Sequence, residues 1–482
     1  MSLSRRCAAV ILLLSTSPIP AQDEGLSVLD RTRIDALFAR FNNDTPGAAL
    51  AVARRGEVLY SQGYGMANLE YDIPITPGSV FHVASVSKQF TAMCIVLLAQ
   101  DGKLSVDDEI HEHLPELADF GVPITIRHLL HHTSGIRDQW ELLGMAGWRS
   151  NDVKTQADIL HLATLQRELN FEPGTEYLYS NMGYTLLAEI VSRVAGKPMK
   201  EFAEEKIFAP LGMTRTHFHD DVSHIVRGRT YAYVPRREGF SISIPDFENY
   251  GATSLFTTVE DLARWADNFR HQRVGGAQAI ESLQTRGRLN NGEQINYAFA
   301  LQHGDHRGLR TLGHGGSDAG YRAQLTMYPD QELTVAVLSN VSNGNPGGLA
   351  RQVAEVILAE DLTEPVAAGR RGGGRRGAPG NRRGRGRRGG AAQQAALSTA
   401  QLAEFPGVYH SAELDVDYTV LELDGRLVLR RWRFDDRPLR SSGSDAFSAG
   451  NWRVQFSRGD SGEVNGLSIT TGRVRNLRFT RR

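Results

Sequence analysis

The chain has six lysines, Lys88, Lys103, Lys154, Lys197, Lys200 and Lys206, and a serine stands three residues before only one of them, in Ser85-Val86-Ser87-Lys88. Positions three apart share one face of a helix. A helical pattern runs from Ser85 to Gln100, and Asp101-Gly102 ends it. Ser85 is therefore expected at a helix start, where backbone N–H groups and the dipole favour a developing negative charge. An amine one turn away can hold or take the hydroxyl proton, as an activated serine nucleophile requires. Alone, that spacing occurs on many helix surfaces.

Two further groups add to it. Tyr179-Ser180-Asn181 is the one Tyr-x-Asn among 14 tyrosines. It follows the turn-rich Phe171-Glu172-Pro173-Gly174 and precedes an amphipathic pattern. A loop tyrosine serves as base or proton shuttle where a cation favours its phenolate, and Lys88 is a candidate for that cation. The bland alternative is a capping loop with a surface tyrosine. The third group is His314-Gly315-Gly316-Ser317, ahead of late strand patterns. Glycines there let a substrate approach the backbone, and the N–H of Ser317 can pair with that of Ser85 as an oxyanion hole. Its bland alternative is a glycine-rich turn. Histidine groupings (His128, His131 and His132; His111 with His113; His217 with His219) raise a zinc reading, but the two pairs lack an identifiable third ligand, so no metal is assigned.

The elements that must position these groups follow from periodicity. Ala48–Ala53, a turn at Arg55-Gly56-Glu57 and Val58–Met66 form a hairpin pattern. Residues 105–270 are mostly helical patterns, with Leu186, Ile190, Val191 and Val194 at helical spacing before Gly196-Lys197-Pro198. Strand patterns return at Gln324–Tyr328 and Leu333–Leu338, and Ala350–Ala359 closes with a helix. Strands from both ends bracket a helical middle, so an α+β architecture is expected: an antiparallel sheet flanked by helices, with a helical insertion.

The 482 residues carry 54 Lys+Arg against 55 Asp+Glu, but unevenly. Residues 22–365 hold 30 against 44, residues 366–397 hold nine arginines and no acid, and residues 398–482 hold 13 against 11. Four parts are read. Residues 1–21 resemble an export signal, with Arg5-Arg6, an apolar stretch and Ala21 before Gln22-Asp23-Glu24. Residues 22–365 form the main domain. Residues 366–397 are an Arg/Gly-rich linker too poor in apolar bulk to offset ordering entropy. Residues 398–482 alternate around Asp424-Gly425 and read as a small β module of six to eight strands, its arginines a solvated face. The longest apolar run, Cys7–Leu14, is too short to span a membrane. The acidic main domain, a linker without aromatics and the export signal argue against nucleic acid as a partner, so none is expected, the alternative being an Arg-Gly tether; contact of the linker with an anionic envelope surface stays open.

In order and surroundings the three motifs resemble the serine β-lactamase and penicillin-binding-protein superfamily, with class C β-lactamases, D,D-carboxypeptidases, D-aminopeptidases and esterases as nearer relatives. The likeness covers residues 28–360. It includes Ile126-Arg127-His128-Leu129-Leu130 before His132-Thr133-Ser134-Gly135, Pro210-Leu211-Gly212-Met213, and Thr257-Thr258 before Glu260-Asp261-Leu262. Residues 398–482 resemble the lipocalin-like domains appended to some of these hydrolases. The resemblance implies that Ser85 is acylated, Lys88 helps remove its proton, Tyr179 takes part in proton transfer, and Asn181 positions Lys88 and a substrate amide. It puts His314 where a lysine often stands and Gly315 where a hydroxyl is common. Histidine is mostly neutral near pH 7 and glycine has no side-chain donor. The pattern therefore points to ester, amide or peptide substrates rather than efficient β-lactam hydrolysis. An exported serine hydrolase without cofactor is expected, acting on a small molecule or peptide. A weakly catalytic binder of cell-wall peptides or of a partner protein is the alternative. Trp140 and Trp148 are read as pocket, core or lid residues. Substrate, oligomeric state, and the choice of Lys88 or Tyr179 as base stay open. So does the β module's role, whether shield, substrate surface or stabiliser.

Overall fold

The computed structural model describes residues 25–363 and 397–482. The export segment 1–21 and, but for Leu397, the linker 366–397 lie outside the described residues.

The main sheet has six antiparallel strands: β1 (Ala48–Arg54), β2 (Glu57–Tyr64), β3 (Gln302–His306), β4 (Leu309–Asp318), β5 (Tyr321–Tyr328) and β6 (Leu333–Ser339). Their order is β3-β4-β5-β6-β1-β2. Two strands from the start of the domain thus pair with four from its end, as the bracketing pattern predicts. The β1–β2 turn has Arg55 at φ 53° and Gly56 at φ 85°, the double left-handed turn that matches strand twist.

Side chains alternate across the sheet. Leu50, Val52, Val335 and Val337 pack with Ile34 and Phe38 of helix α1 (Val28–Phe38). Ala49, Ala51, Ala336 and Leu338 face the opposite core, which holds helix α2 (Lys88–Gln100), helix α3 (Asn181–Ala195) and helix α4 (Val259–His271). Small alanines on that face let α4 lie close, with Leu262 and Trp265 buried. Helix α5 (Pro346–Ile357) covers the first face through Leu349 and Val353. Cys94, the one cysteine among the described residues, is buried within α2.

The C-terminal module is a nearly closed barrel of nine antiparallel strands, β7 to β15: Gly407–Ser411, Val416–Leu423, Arg426–Arg431, Arg437–Pro438, Arg440–Ser441, Ala446–Ala449, Trp452–Arg458, Val464–Thr471 and Val474–Arg481. The sequence pattern gave six to eight; the two-residue strands on either side of Leu439 are too short for alternation to reveal. They are also the sheet's two edges, so only this seam is open. Asp424 (φ 51°) and Gly425 (φ 70°) form the expected hairpin turn.

The barrel is docked on the main domain. Arg137, fully buried, donates to Glu413 Oε1 at 2.8 Å and to the Arg475 carbonyl at 3.2 Å. Removing one partner of such a buried pair costs about 3–5 kcal/mol, because the other charge is left unpaired.

Candidate active site

Ser85 lies on a short 3-10 turn, Ala84–Ser87, that runs directly into α2. Ala84 is held at φ 49°, an uncommon conformation for a residue with a Cβ. The turn is tied down locally: the Ala84 N–H donates to His82 Nδ1 at 3.2 Å, and Ser87 Oγ donates to the Ala84 carbonyl while accepting the Leu255 N–H. Gly316 of β4 abuts this turn. A Cβ on Gly316 would fall 2.1 Å from the Val83 oxygen, so glycine is required there. That approach lays the backbone of Gly316-Ser317 alongside the turn that carries Ser85.

Lys88, one residue past the turn, is wholly buried. Its Nζ donates to Ser85 Oγ at 3.1 Å, Asn181 Oδ1 at 2.9 Å and the Ala252 carbonyl at 2.6 Å. Burial pushes its pKa down, to about 7, against the pull of the Asp318 and Asp138 carboxylates and with a smaller push from Arg473. Asp318, whose carboxylate accepts a hydrogen bond from Thr253 Oγ1, is moved the other way by burial.

Asn181 opens α3. Its Nδ2 donates to Asp138 Oδ2 at 2.7 Å, so its Oδ1 must face Lys88. The same Asp138 oxygen accepts the Asn181 N–H at 2.8 Å, and Oδ1 accepts the Trp140 N–H at 3.0 Å. A carboxylate suits this helix N-terminus. Arg473, from the turn between β14 and β15, reaches Asp138 Oδ2 at 3.4 Å.

Tyr179 sits between these groups and a second set. Lys88 Nζ lies 5.0 Å and Arg473 Cζ 4.9 Å from its ring centroid. The His132 ring packs at 4.0 Å. The Tyr179 hydroxyl is buried and has no hydrogen-bond partner in place among the described residues. Burial raises its pKa well above the ordinary value; the Ser85 hydroxyl opposes that rise without cancelling it. The phenol therefore keeps its proton at neutral pH.

On the far side runs a chain of neutral groups whose protons can be assigned. The Ser180 N–H donates to His132 Nδ1 at 3.2 Å, so a neutral His132 carries its proton on Nε2. Nε2 faces the Tyr297 hydroxyl at 3.1 Å, which in turn faces His314 Nε2 at 3.0 Å. His314 Nδ1–H then donates to the Gly315 carbonyl at 2.6 Å. Burial is the main cause that lowers both imidazoles, His314 to about 4.

Ser85, Lys88, Tyr179 and Asn181 are thus gathered around one centre. His314 lies beside them, its ring 6.2 Å from that of Tyr179, but both its nitrogens are engaged within the protein. Ser317 is exposed at the rim, and Gly315 and Gly316 are half-buried. Trp140 stacks on Phe247 at 4.6 Å. The histidines weighed as zinc ligands are mostly spent locally: His128 Nδ1 accepts the Thr125 N–H, His131 meets the Thr285 carbonyl, and His111 and His113 meet Glu109 and Asp108.

Sequence reasoning missed Asp138, Tyr297 and Arg473. Asp138 presents as an ordinary N-cap, a role it also fills toward the Trp140 N–H. The arginines of residues 398–482 read as a solvated face in the sequence; Arg473 instead enters the cleft, because its turn is bound to the main domain on both sides. The Arg473 N–H donates to Glu141 Oε2 at 2.8 Å, and its carbonyl accepts from Asn170 Nδ2 at 2.9 Å.

Comparison with known proteins agrees with this fold. The Beta-lactamase family model matches residues 34–360. Penicillin-binding protein 4* of Bacillus subtilis (strain 168) is 33% identical over 313 residues, 61% of this chain and 68% of its own. A D-aminopeptidase of Brucella anthropi is 25% identical over 95% of this chain and 99% of its own length, barrel included. Among solved structures, the octameric penicillin-binding protein homologue from Pyrococcus abyssi superposes with a TM-score of 0.61 at 24% identity, over 94% of this chain and 99% of that one. A D-amino acid amidase from Ochrobactrum anthropi, complexed with L-phenylalanine amide, gives a TM-score of 0.57 at 21% identity over 69% and 99%. With the fold, the motifs and these likenesses in agreement, the chain belongs to the Beta-lactamase family and is one of its serine hydrolases.

Proposed function

We propose that the protein is an exported hydrolase that works through an acyl-enzyme on the carbonyl of D-amino-acid amides or peptides, takes simple esters, and turns over β-lactams poorly. The observation that carries the chemistry is the buried Lys88 amine 3.1 Å from the Ser85 hydroxyl. Near pH 7 a large share of Lys88 is neutral, so it can act as base where Tyr179, held protonated, cannot.

Ser85 Oγ attacks the carbonyl carbon as its proton passes to Lys88 Nζ. The oxyanion faces the N–H groups of Ser85 and Ser317. The carbon–nitrogen bond then breaks, the leaving amine takes the Tyr179 proton, and Lys88 returns its own to the phenolate. Water repeats the attack on the ester and its proton follows the same groups back to Ser85. An oxyanion-hole donor contributes about 2.7–4 kcal/mol to such a barrier.

Two features support the substrate class. His314, with both nitrogens engaged, gives no cation for a carboxylate next to the scissile bond. One relative that matches over 95% of this chain is a D-aminopeptidase. The test is a panel of nitrocefin, short-chain nitrophenyl esters, D-Ala-D-Ala peptides, and D- and L-amino-acid amides. Turnover of esters and D-amides is expected, nitrocefin weakly, and all of it lost in Ser85→Ala. Ester turnover unchanged in that variant would refute the nucleophile, and a preference for L-amides would refute the substrate class.

A further inference from the structure

We infer that Arg473 is a positioning residue of the hydrolytic centre, so that the barrel forms part of the catalytic apparatus: its guanidinium ends the Ser85–Lys88–Asn181–Asp138 chain and covers the Tyr179 ring. This rests on the reading of Ser85, Lys88 and Tyr179 as the reacting groups.

The geometry separates docking from this role. At the β14–β15 turn the docking bonds are made by backbone and by the Arg475 side chain: the Arg473 N–H to Glu141, the Arg473 carbonyl to Asn170, the Arg475 N–H to Asn170 Oδ1 at 2.7 Å, and the Arg475 guanidinium to Glu176 at 3.0 Å. The Arg473 side chain is not needed for any of them. It extends into the cleft, 41% exposed, with Nη1 3.4 Å from Asp138 and Cζ 4.9 Å from the Tyr179 centroid. Arg137, by contrast, has a side chain with no exposure and docks through that side chain.

Its position gives the charge a function. Asp138 is buried and accepts three hydrogen bonds from Asn181 and Trp140. An ionised carboxylate there attracts the Lys88 proton through Asn181. Lys88 is faced by Asp318, Asp138, Arg473, the rings of Tyr179 and Tyr184, His132 and His314. The tyrosines and both histidines are neutral near pH 7. Two carboxylates favour the charged amine, and Arg473 opposes them. Lys88 and Arg473 each lie about 5 Å from one ring centroid (5.0 and 4.9 Å), so they are at most about 10 Å apart. At that range, with an effective dielectric constant of about 20, a unit charge moves a pKa by about one unit.

The experiment measures kcat/KM against pH on the full chain with a nitrophenyl ester. In the wild type activity should rise with pH through about 7 as Lys88 loses its proton. Arg473→Ala should move this acid limb up by about one pH unit, while Arg473→Lys, which keeps the charge, should leave it near the wild-type position. The unfolding temperature of both should stay close to wild type, since the backbone bonds and the Arg475–Glu176 pair remain. If Arg473→Ala does not fold, Arg473→Gln carries the same test. An unmoved limb in a folded, uncharged variant overturns the inference and leaves the nucleophile reading intact, whereas full turnover by Ser85→Ala overturns that reading itself.

Discussion

Tyr179 separates two networks of opposite character. On one side Ser85, Lys88, Asn181, Asp138 and Arg473 form a charged chain that begins at the proposed nucleophile and ends on the barrel. On the other, Ser180, His132, Tyr297, His314 and Gly315 form a chain in which each proton has one place. The charged chain contains the group that titrates near neutrality, Lys88. The neutral chain contains none, because burial holds its histidines well below and its tyrosine well above pH 7. The contrast indicates a division of labour: one side sets proton affinity, and the other holds the tyrosine ring in place without adding charge.

The largest effect expected from breaking the charged side is that of Lys88→Ala. Loss of a general base typically costs about 10²–10⁴-fold in rate. The residual activity of Lys88→Ala should also lack the acid limb near pH 7, because the group that titrates there is gone. A residual profile that keeps this limb would assign it to another group and end the contrast between the two sides.

Much of the charged side was legible. The i,i+3 spacing of Ser85 and Lys88 survives although the first turn is 3-10 rather than α-helical, because both forms put residues three apart on one face. The sheet was legible because β1 and β6 are short, nearly continuous apolar runs bounded by turn residues, the pattern of strands buried on both faces. Asp138 and Arg473 were not. One carries an N-cap's local signature, and the other is one of 13 arginines in the last 85 residues, singled out only by how the barrel docks. The neutral side was harder still. Tyr297 lies 165 positions from His132 and 17 from His314, and nothing in a tyrosine's neighbours announces a hydrogen bond that only tertiary packing creates. His132 stands out in the sequence as a metal candidate and within the His132-Thr133-Ser134-Gly135 segment of the resemblance, but spacing cannot distinguish a ligand from a histidine satisfied by a backbone N–H.

Breaking the neutral side should cost less rate. Tyr297→Phe keeps the ring but leaves His132 Nε2–H and His314 Nε2 facing each other's former bridge. Burying unpaired polar groups costs about 1–3 kcal/mol each in stability. Because no charge is removed, kcat should fall by only about 10-fold or less and the acid limb should stay near 7. A displaced limb in Tyr297→Phe would show that this side also controls the proton affinity of Lys88, and the division would fail.

The smallest effect concerns stability and acid. Burial lowers His82 to about 3 and His131 and His314 to about 4, and it also holds His132 well below the unfolded value of 6.5. Between pH 6.5 and 4 these histidines therefore bind more protons in the unfolded chain than in the folded one, so their contribution to stability falls as pH drops through that window. The contribution is fully present above 6.5, and each such histidine removes up to about 1.4 kcal/mol per pH unit below it. The unfolding temperature should accordingly decline between pH 7 and pH 5, before most carboxylates titrate. His314→Gln removes one of these protons and should make the decline shallower, even if the variant is less stable at pH 7. Equal slopes for wild type and His314→Gln would mean that His314 is already protonated at pH 5. Its Nε2 would then be a donor facing Tyr297, and the fixed order of protons on the neutral side would have to be reversed.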